Sequence, residues 1–422
     1  MAYGPSVKIV DTGRLTYGQG TADWQERLNV DRMREYRTER ARKIMKKHGV
    51  AVILEGGTQH IRYLTGMIGF PMPLTRYTLF FAEDAPIMYE HAGWYVQLQD
   101  QAPWIGEFRP ARSWLGFSPG MEASLEEARL FAGEIAEELR KRGLLGEKIA
   151  VGGVDGVGIA ALVAAGVTNI VPSQQLMLEA RMIKNEDEIN CLKMVAAICD
   201  GIWFKVWETA RPGMRDTDLG AIVARTGYEL GAEHSHMGGW RSGPITFDRG
   251  FSTTGRLMQT GDLLYGSVCG FTYMGYGSCT YRSFSIGKKP SDQQKDWYKQ
   301  VLDRIDNVIS EIKPGASTDA AAKHFPPATK WGYEGEHEIL ASEIGHGIGI
   351  GAMTGYDHPI VNRQWSLQFP QEFEEGMCIA VESREGEVRV GGARLENMLV
   401  VTKTGVEIID TFQRDEILPA PR

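Results

Sequence analysis

A two-part α/β (α+β) chain is predicted, and three observations predict it. Elements of strand and helix type alternate up to about residue 180, a helix-turn-helix-strand unit then occurs twice, and the composition suits a large buried core. The chain has 422 residues, of which 43% are hydrophobic and 24% charged. At about 150 residues per domain that length accommodates two or three domains.

The first part reads in order as a helix over 30–48, a strand over 50–54, apolar strand runs at 77–81 and 87–89, and a charged helix over 125–141. A strand over 148–151, a helix over 158–165 and a strand over 169–171 follow. The stretch Gly152-Gly-Val-Asp-Gly-Val-Gly158 leaves a strand and opens a helix, but its glycine spacing misses both phosphate-loop fingerprints, so a plain turn is expected.

The repeat begins with a helix over 186–208, then Arg211-Pro212-Gly213, Thr217-Asp218 and Gly227-Tyr228-Glu229. The second copy has a helix over 293–312, then Lys313-Pro314-Gly315, Thr318-Asp319 and Gly332-Tyr333-Glu334. In each copy Pro-Gly stops a helix and Thr-Asp is expected to restart one as an N-cap. Two like units are expected to pack about a pseudo-twofold axis, pairing their strands into one curved sheet with a central cleft.

Three segments read as cleft strands. Asp262–Phe271 and Tyr276–Phe284 form a hairpin in which Cys279 can lie nearly opposite Cys269. Glycines flank His346 in Glu343-Ile-Gly-His346-Gly-Ile-Gly, and Glu382 and Glu396 each sit among apolar neighbours. Buried carboxylates need partners, so Glu382 and Glu396 read alone are satisfied by Arg384, Arg394 or each other; read together with His346, the set favours a site. Aromatic faces of Trp240, Tyr281 and Tyr356, with His358, are candidates to line a substrate pocket, the alternative for Trp240 and Tyr281 being that they pack beneath the hairpin.

At these residues the chain resembles the pita-bread family of methionine aminopeptidase, aminopeptidase P, prolidase and creatinase. Arg181-Met-Ile-Lys184, Gly345-His346-Gly-Ile-Gly, Ala380-Val-Glu382 and Arg394-Leu-Glu396-Asn carry the resemblance. It implies a creatinase-type N-terminal domain over 1–180 and a pita-bread catalytic domain over 181–422, assembled as a homodimer. Met33–Arg40, Arg62-Tyr63 and Ser242-Gly-Pro244 are similar to the dimethylsulfoniopropionate lyases built on this fold. Metal-dependent relatives carry three Asp where this chain has Ser267, Cys269 and Cys279. Carboxylate-rich sites suit hard ions and thiols suit softer ones, so the two-metal site is not expected.

The leading expectation is therefore a non-peptidase hydrolase or lyase acting on a small molecule without a metal, with His346, Glu382 and Glu396 as acid-base groups. The alternatives are an Xaa-Pro-type peptidase or dimethylsulfoniopropionate-type lyase with one zinc on Cys269, Cys279, His346, Glu382 and Glu396, and an inactive binding or scaffold member. A thiol nucleophile activated by His346 is a further option. With 46 basic against 54 acidic residues, a net charge of −8 disfavours nucleic acid as a partner. Five cysteines without a C-x-x-C pair fit a reducing cytoplasm, and Met1–Leu15 and the rest of the chain show no signal-peptide or membrane-spanning run.

Overall fold

The computed structural model describes residues 28–68, 76–91, 98, 102–115, 118, 120–234, 239–248, 253–339, 343–351 and 356–421. Met1–Leu15 and His236, a histidine preceding the hairpin, lie outside them. The chain divides into two compact units, Asn29–Arg181 and Met182–Arg422. Among the described residues no helix is long and apolar enough to cross a membrane.

The first unit is a six-stranded mixed sheet, β1 (Val52–Glu55), β2 (Tyr77–Phe81), β3 (Ile87–Glu90), β4 (Glu107–Pro110), β5 (Ile149–Gly152) and β6 (Ile170–Pro172), in the order β4-β3-β2-β1-β5-β6. Its helices are α1 (Val30–His48), α2 (Thr58–Thr65), α3 (Met121–Lys141), α4 (Gly156–Ala164) and α5 (Gln174–Arg181). Phe131, Ile135 and Leu139 of α3 recur at helical spacing and join Leu54, Leu79 and Val151 of the sheet in one core. The Gly-rich turn before α4 is a helix cap. The Asp155 carboxylate accepts from the Gly158 N–H at 2.9 Å and from the Trp114 indole, so the chain itself fills the site a phosphate would use. Gly153 has φ +64°, and a Cβ there would stand 2.2 Å from the Gly57 nitrogen, so close packing accounts for that glycine.

The second unit holds α6 (Glu186–Thr209), α7 (Asp216–Glu229), α8 (Asp292–Ser310) and α9 (Thr318–Ala322). Its strands are β7 (Trp240–Ser242), β8 (Leu263–Ser267), β9 (Thr272–Tyr273), β10 (Tyr276–Gly277), β11 (Tyr281–Ile286), β12 (Ile344–Gly347), β13 (Asp357–Val361), β14 (Cys378–Glu387), β15 (Gly391–Val401), β16 (Val406–Ile408) and β17 (Leu418–Ala420). Seven of them order as β13-β12-β14-β15-β11-β8-β7, with β16 on β15 and β17 on β11. Val301, Ile305 and Val308 of α8 bury against Ile379, Val381 and Leu395, one face of β14 and β15, which leaves the opposite face to the glutamates.

Both long helices of the repeat start in a capping box, at Asn185 and Ser291. The shorter ones correct the expected caps. Arg215 precedes α7 and Asp218 lies inside its first turn, accepting from the Arg215 N–H at 2.8 Å, while Ser317 rather than Thr318 is the N-cap position of α9. Pro-Gly does stop the long helices: Gly213 and Gly315 take φ +85° and +83°, a region glycine enters without strain.

Candidate active site

Three transverse rows of side chains on one sheet face build the site. Register pairs run Ser267, Tyr281, Glu396, Glu382 and Ile344 across β8, β11, β15, β14 and β12. Since alternate residues share a face, the row above it carries Cys269 and Cys279 at one end and Ala380 and His346 at the other. The backbone bonds Val268 N–H to Thr280 and Gly270 N–H to Ser278 extend the hairpin and set the two cysteines opposite each other. The row below carries Tyr265, Ser283, Arg394 and Arg384.

The distances are short. Cys269 and Cys279 Sγ are 2.8 Å apart, and Cys269 Sγ is 3.7 Å from Glu396 Oε2. One ligand atom each from Cys269, Cys279 and Glu396 lie within 4.8 Å of one another. His346 Nδ1 lies 3.1 Å from the Gly347 carbonyl oxygen. A neutral ring donating there turns the Nε2 lone pair toward Glu396 Oε1 at 3.4 Å. Neither of those two atoms has a hydrogen-bond partner, although His346 and Glu396 are 2% and 0% exposed. Two buried acceptors facing each other are stabilised by a cation, not by another acceptor.

That observation and the donor chemistry test the metal the resemblance implies. The donors that converge are the two sulfurs and the Glu396 carboxylate, with His346 reaching only Glu396 and Glu382 outside the group; they do not provide the oxygens a pair of hard divalent ions requires, but suit one soft ion such as zinc. Burial pushes the Cys269 thiol up, and its Cys269 neighbour together with burial pushes Cys279 well up. A thiolate nucleophile is thereby disfavoured.

The structure places the other candidates unevenly. Tyr281 borders Glu396 in the central row. Tyr356 stacks on the His346 ring with centroids 3.9 Å apart. His358 is half-buried in β13, and burial lowers its pKa. Trp240 is a correction: its register partner is Gly266, which points away from Ser267 and Tyr265, and it packs edge-on against Trp203 of α6. The ion pairs expected of Glu382 and Glu396 with Arg384 or Arg394 do not form; Glu396 faces His346, and both arginines donate to the Phe247 carbonyl. That Arg384 and Arg394 share the site's face was missed, though their two-residue offset from each Glu signals it.

The profile of metallopeptidase family M24 matches residues 190–403, which includes every residue of these three rows. The chain belongs to metallopeptidase family M24. The M24 relatives include the Xaa-Pro dipeptidase of Pyrococcus horikoshii, 24% identical over 266 residues, covering 60% of this chain and 69% of that one. An uncharacterized peptidase of Bacillus subtilis, YqhT, is 26% identical over 257 residues, 59% of this chain and 68% of that one. In three dimensions the dipeptidase PepE of Mycobacterium ulcerans aligns with TM-score 0.75 at 20% identity, over 94% of this chain and 100% of that one. The Xaa-Pro dipeptidase of Bacillus anthracis gives 0.72 at 22%, over 90% and 99%. These M24 neighbours share the curved antiparallel sheet, so the expected pita-bread fold stands.

Proposed function

We propose that this chain is an M24 hydrolase that cleaves an amide bond in a small peptide-like substrate, using one soft cation, with zinc the best match. The observation that carries the reading is the convergence of Cys269, Cys279 and Glu396 ligand atoms within 4.8 Å, with the His346 Nε2 lone pair 3.4 Å from Glu396. Family membership favours this over the metal-free acid-base reading and over a lyase. The relatives include Xaa-Pro dipeptidases, which makes Xaa-Pro dipeptides the first substrates to try.

Cys269, Cys279, Glu396 and His346 would hold the ion, which supplies Lewis acidity toward the scissile carbonyl. Glu382, opposite Glu396 and 1% exposed, would take a proton from the attacking water and return it to the leaving amine. The Gly347 carbonyl fixes the His346 tautomer, and the Tyr356 ring holds the imidazole plane while shielding it from water. Tyr281 lies beside Ser267 in the central row. The homodimer and the cytoplasmic, small-molecule role expected from the resemblance belong to the same proposal.

Elemental analysis of protein purified without added metal, followed by assay on Xaa-Pro dipeptides, tests it. One zinc per chain and hydrolysis lost on chelation are expected. Two manganese or iron ions per chain, or full turnover in metal-free protein, overturn it.

A further inference from the structure

The lowest of the three rows carries two arginines that form no ion pair among the described residues, Glu343 acting on Arg384 only through its field. Arg384 and Arg394 are register partners on β14 and β15, directly opposite each other, and 5% and 0% exposed. Like charges in that arrangement repel. The effect reaches Arg384 itself, whose pKa is lowered first by burial and next by Arg394. A buried charge is ordinarily paired, yet neither guanidinium forms an ion pair among the described residues. The adjacent acids are engaged elsewhere: Glu385 with Arg304 and Lys330, and Glu343 with the Ser383 hydroxyl, Arg304 and the Arg384 backbone N–H.

Both guanidinium groups donate to one oxygen, the Phe247 carbonyl, at 3.3 and 3.0 Å. Arg384 also has the Tyr333 hydroxyl as a hydrogen-bond partner. Nε of Arg384 and Nε and Nη1 of Arg394 are buried without a hydrogen-bond partner. The Phe247 ring centroid lies 4.5 Å from the Arg384 guanidinium carbon, and the Tyr265 centroid 5.0 Å from that of Arg394, so each fork lies over an aromatic ring. Two planar forks with free N–H groups, side by side on the face that carries Glu382 and Glu396, match the acceptors of a phosphate or of paired carboxylates.

We propose that Arg384 and Arg394 form a subsite for a doubly charged oxyanion group of the substrate, two residues along the strands from Glu382 and Glu396. The inference deepens the proposed hydrolase reading, on which it rests only for the position of the reacting bond. The M24 substrate taken here is then a small amide that carries a dianionic group, and Arg384 sets that preference.

Calorimetric titration of the full chain with malonate, inorganic phosphate and acetate at constant ionic strength, before and after zinc loading, tests this. Malonate or phosphate is expected to bind at least tenfold more tightly than acetate, the tighter of the two naming the group as dicarboxylate or phosphate. Arg384→Gln should weaken that ligand at least tenfold, with Arg384→Lys intermediate. Acetate binding as tightly as both dianions overturns the subsite in the wild-type chain without recourse to a variant, as does an unchanged affinity in a folded Arg384→Gln. A chain that takes no zinc yet prefers dianions sinks the metal reading and supports this one; a zinc hydrolase without the preference does the reverse.

Discussion

His346 shows how one backbone atom can set the chemistry of a side chain. Its Nδ1 is engaged by the Gly347 carbonyl, so Nε2 is the free nitrogen, and it faces a carboxylate oxygen that also lacks a donor. Hardness of the surrounding donors then decides which ion suits the gap. Replacing Cys269→Asp together with Cys279→Asp is expected to shift the preferred ion from zinc to manganese, read by competitive metal analysis; unchanged zinc preference contradicts the thiols as ligands. Glu343 gives a pH dependence with a definite sign. Burial pushes its carboxyl from 4.5 up to about 7, so the folded chain favours the neutral form. The stability this contributes is complete below the unfolded value and lost as pH rises through about 7. Glu343→Gln, which cannot ionise, should flatten the urea-midpoint profile between about pH 5 and about pH 8. A slope equal to that of the wild type counts against it.

At the scale of elements, strand spacing carried most of the legible information. His346, Glu382 and Glu396 were readable because each interrupts an apolar or Gly-rich strand, and Cys269 opposite Cys279 followed from hairpin pairing alone. The register between β11 and β15 was not readable, because partners more than a hundred residues apart leave no local signal, and it is this register that sets Tyr281 beside Glu396. Trp240 was misplaced for the same reason. Its large ring suggested a pocket, whereas pairing with Gly266 sends it under the sheet. Gly266 exists to admit that ring: a Cβ there would lie 2.1 Å from Trp240 Cζ3. Gly266→Ala is therefore expected to destabilise the fold by about 1–3 kcal/mol through overpacking, measured by chemical denaturation. Stability within a few tenths of the wild type counts against this packing.

For the molecule as a whole, the duplicated helix pair and the length announced a large sheet with external helices, but the second helix of the second copy, α9, is reduced to Thr318–Ala322. The repeat thus predicts architecture better than it predicts element length. An ion that binds only the folded chain raises its stability by mass action, about 2.7 kcal/mol at a hundredfold excess over Kd. For a domain of this size that is a rise in Tm of roughly 5–10 °C. Scanning calorimetry with zinc and then with a chelator should show the rise and its reversal, and identical scans contradict a cation bound at Cys269, Cys279 and Glu396.

The rows that meet at Glu396 draw on β8, β11, β12, β14 and β15, whose residues run from Leu263 to Val401 along the chain. Until the ribosome has released the last of these strands, a nascent chain offers two thiols and a histidine with no chamber around them. If the proposed ion binds, loading follows synthesis, and the cell's free-ion pool at that moment selects the occupant. A product ending before Glu396 can keep both sulfurs and the imidazole yet lack the carboxylate that joins them.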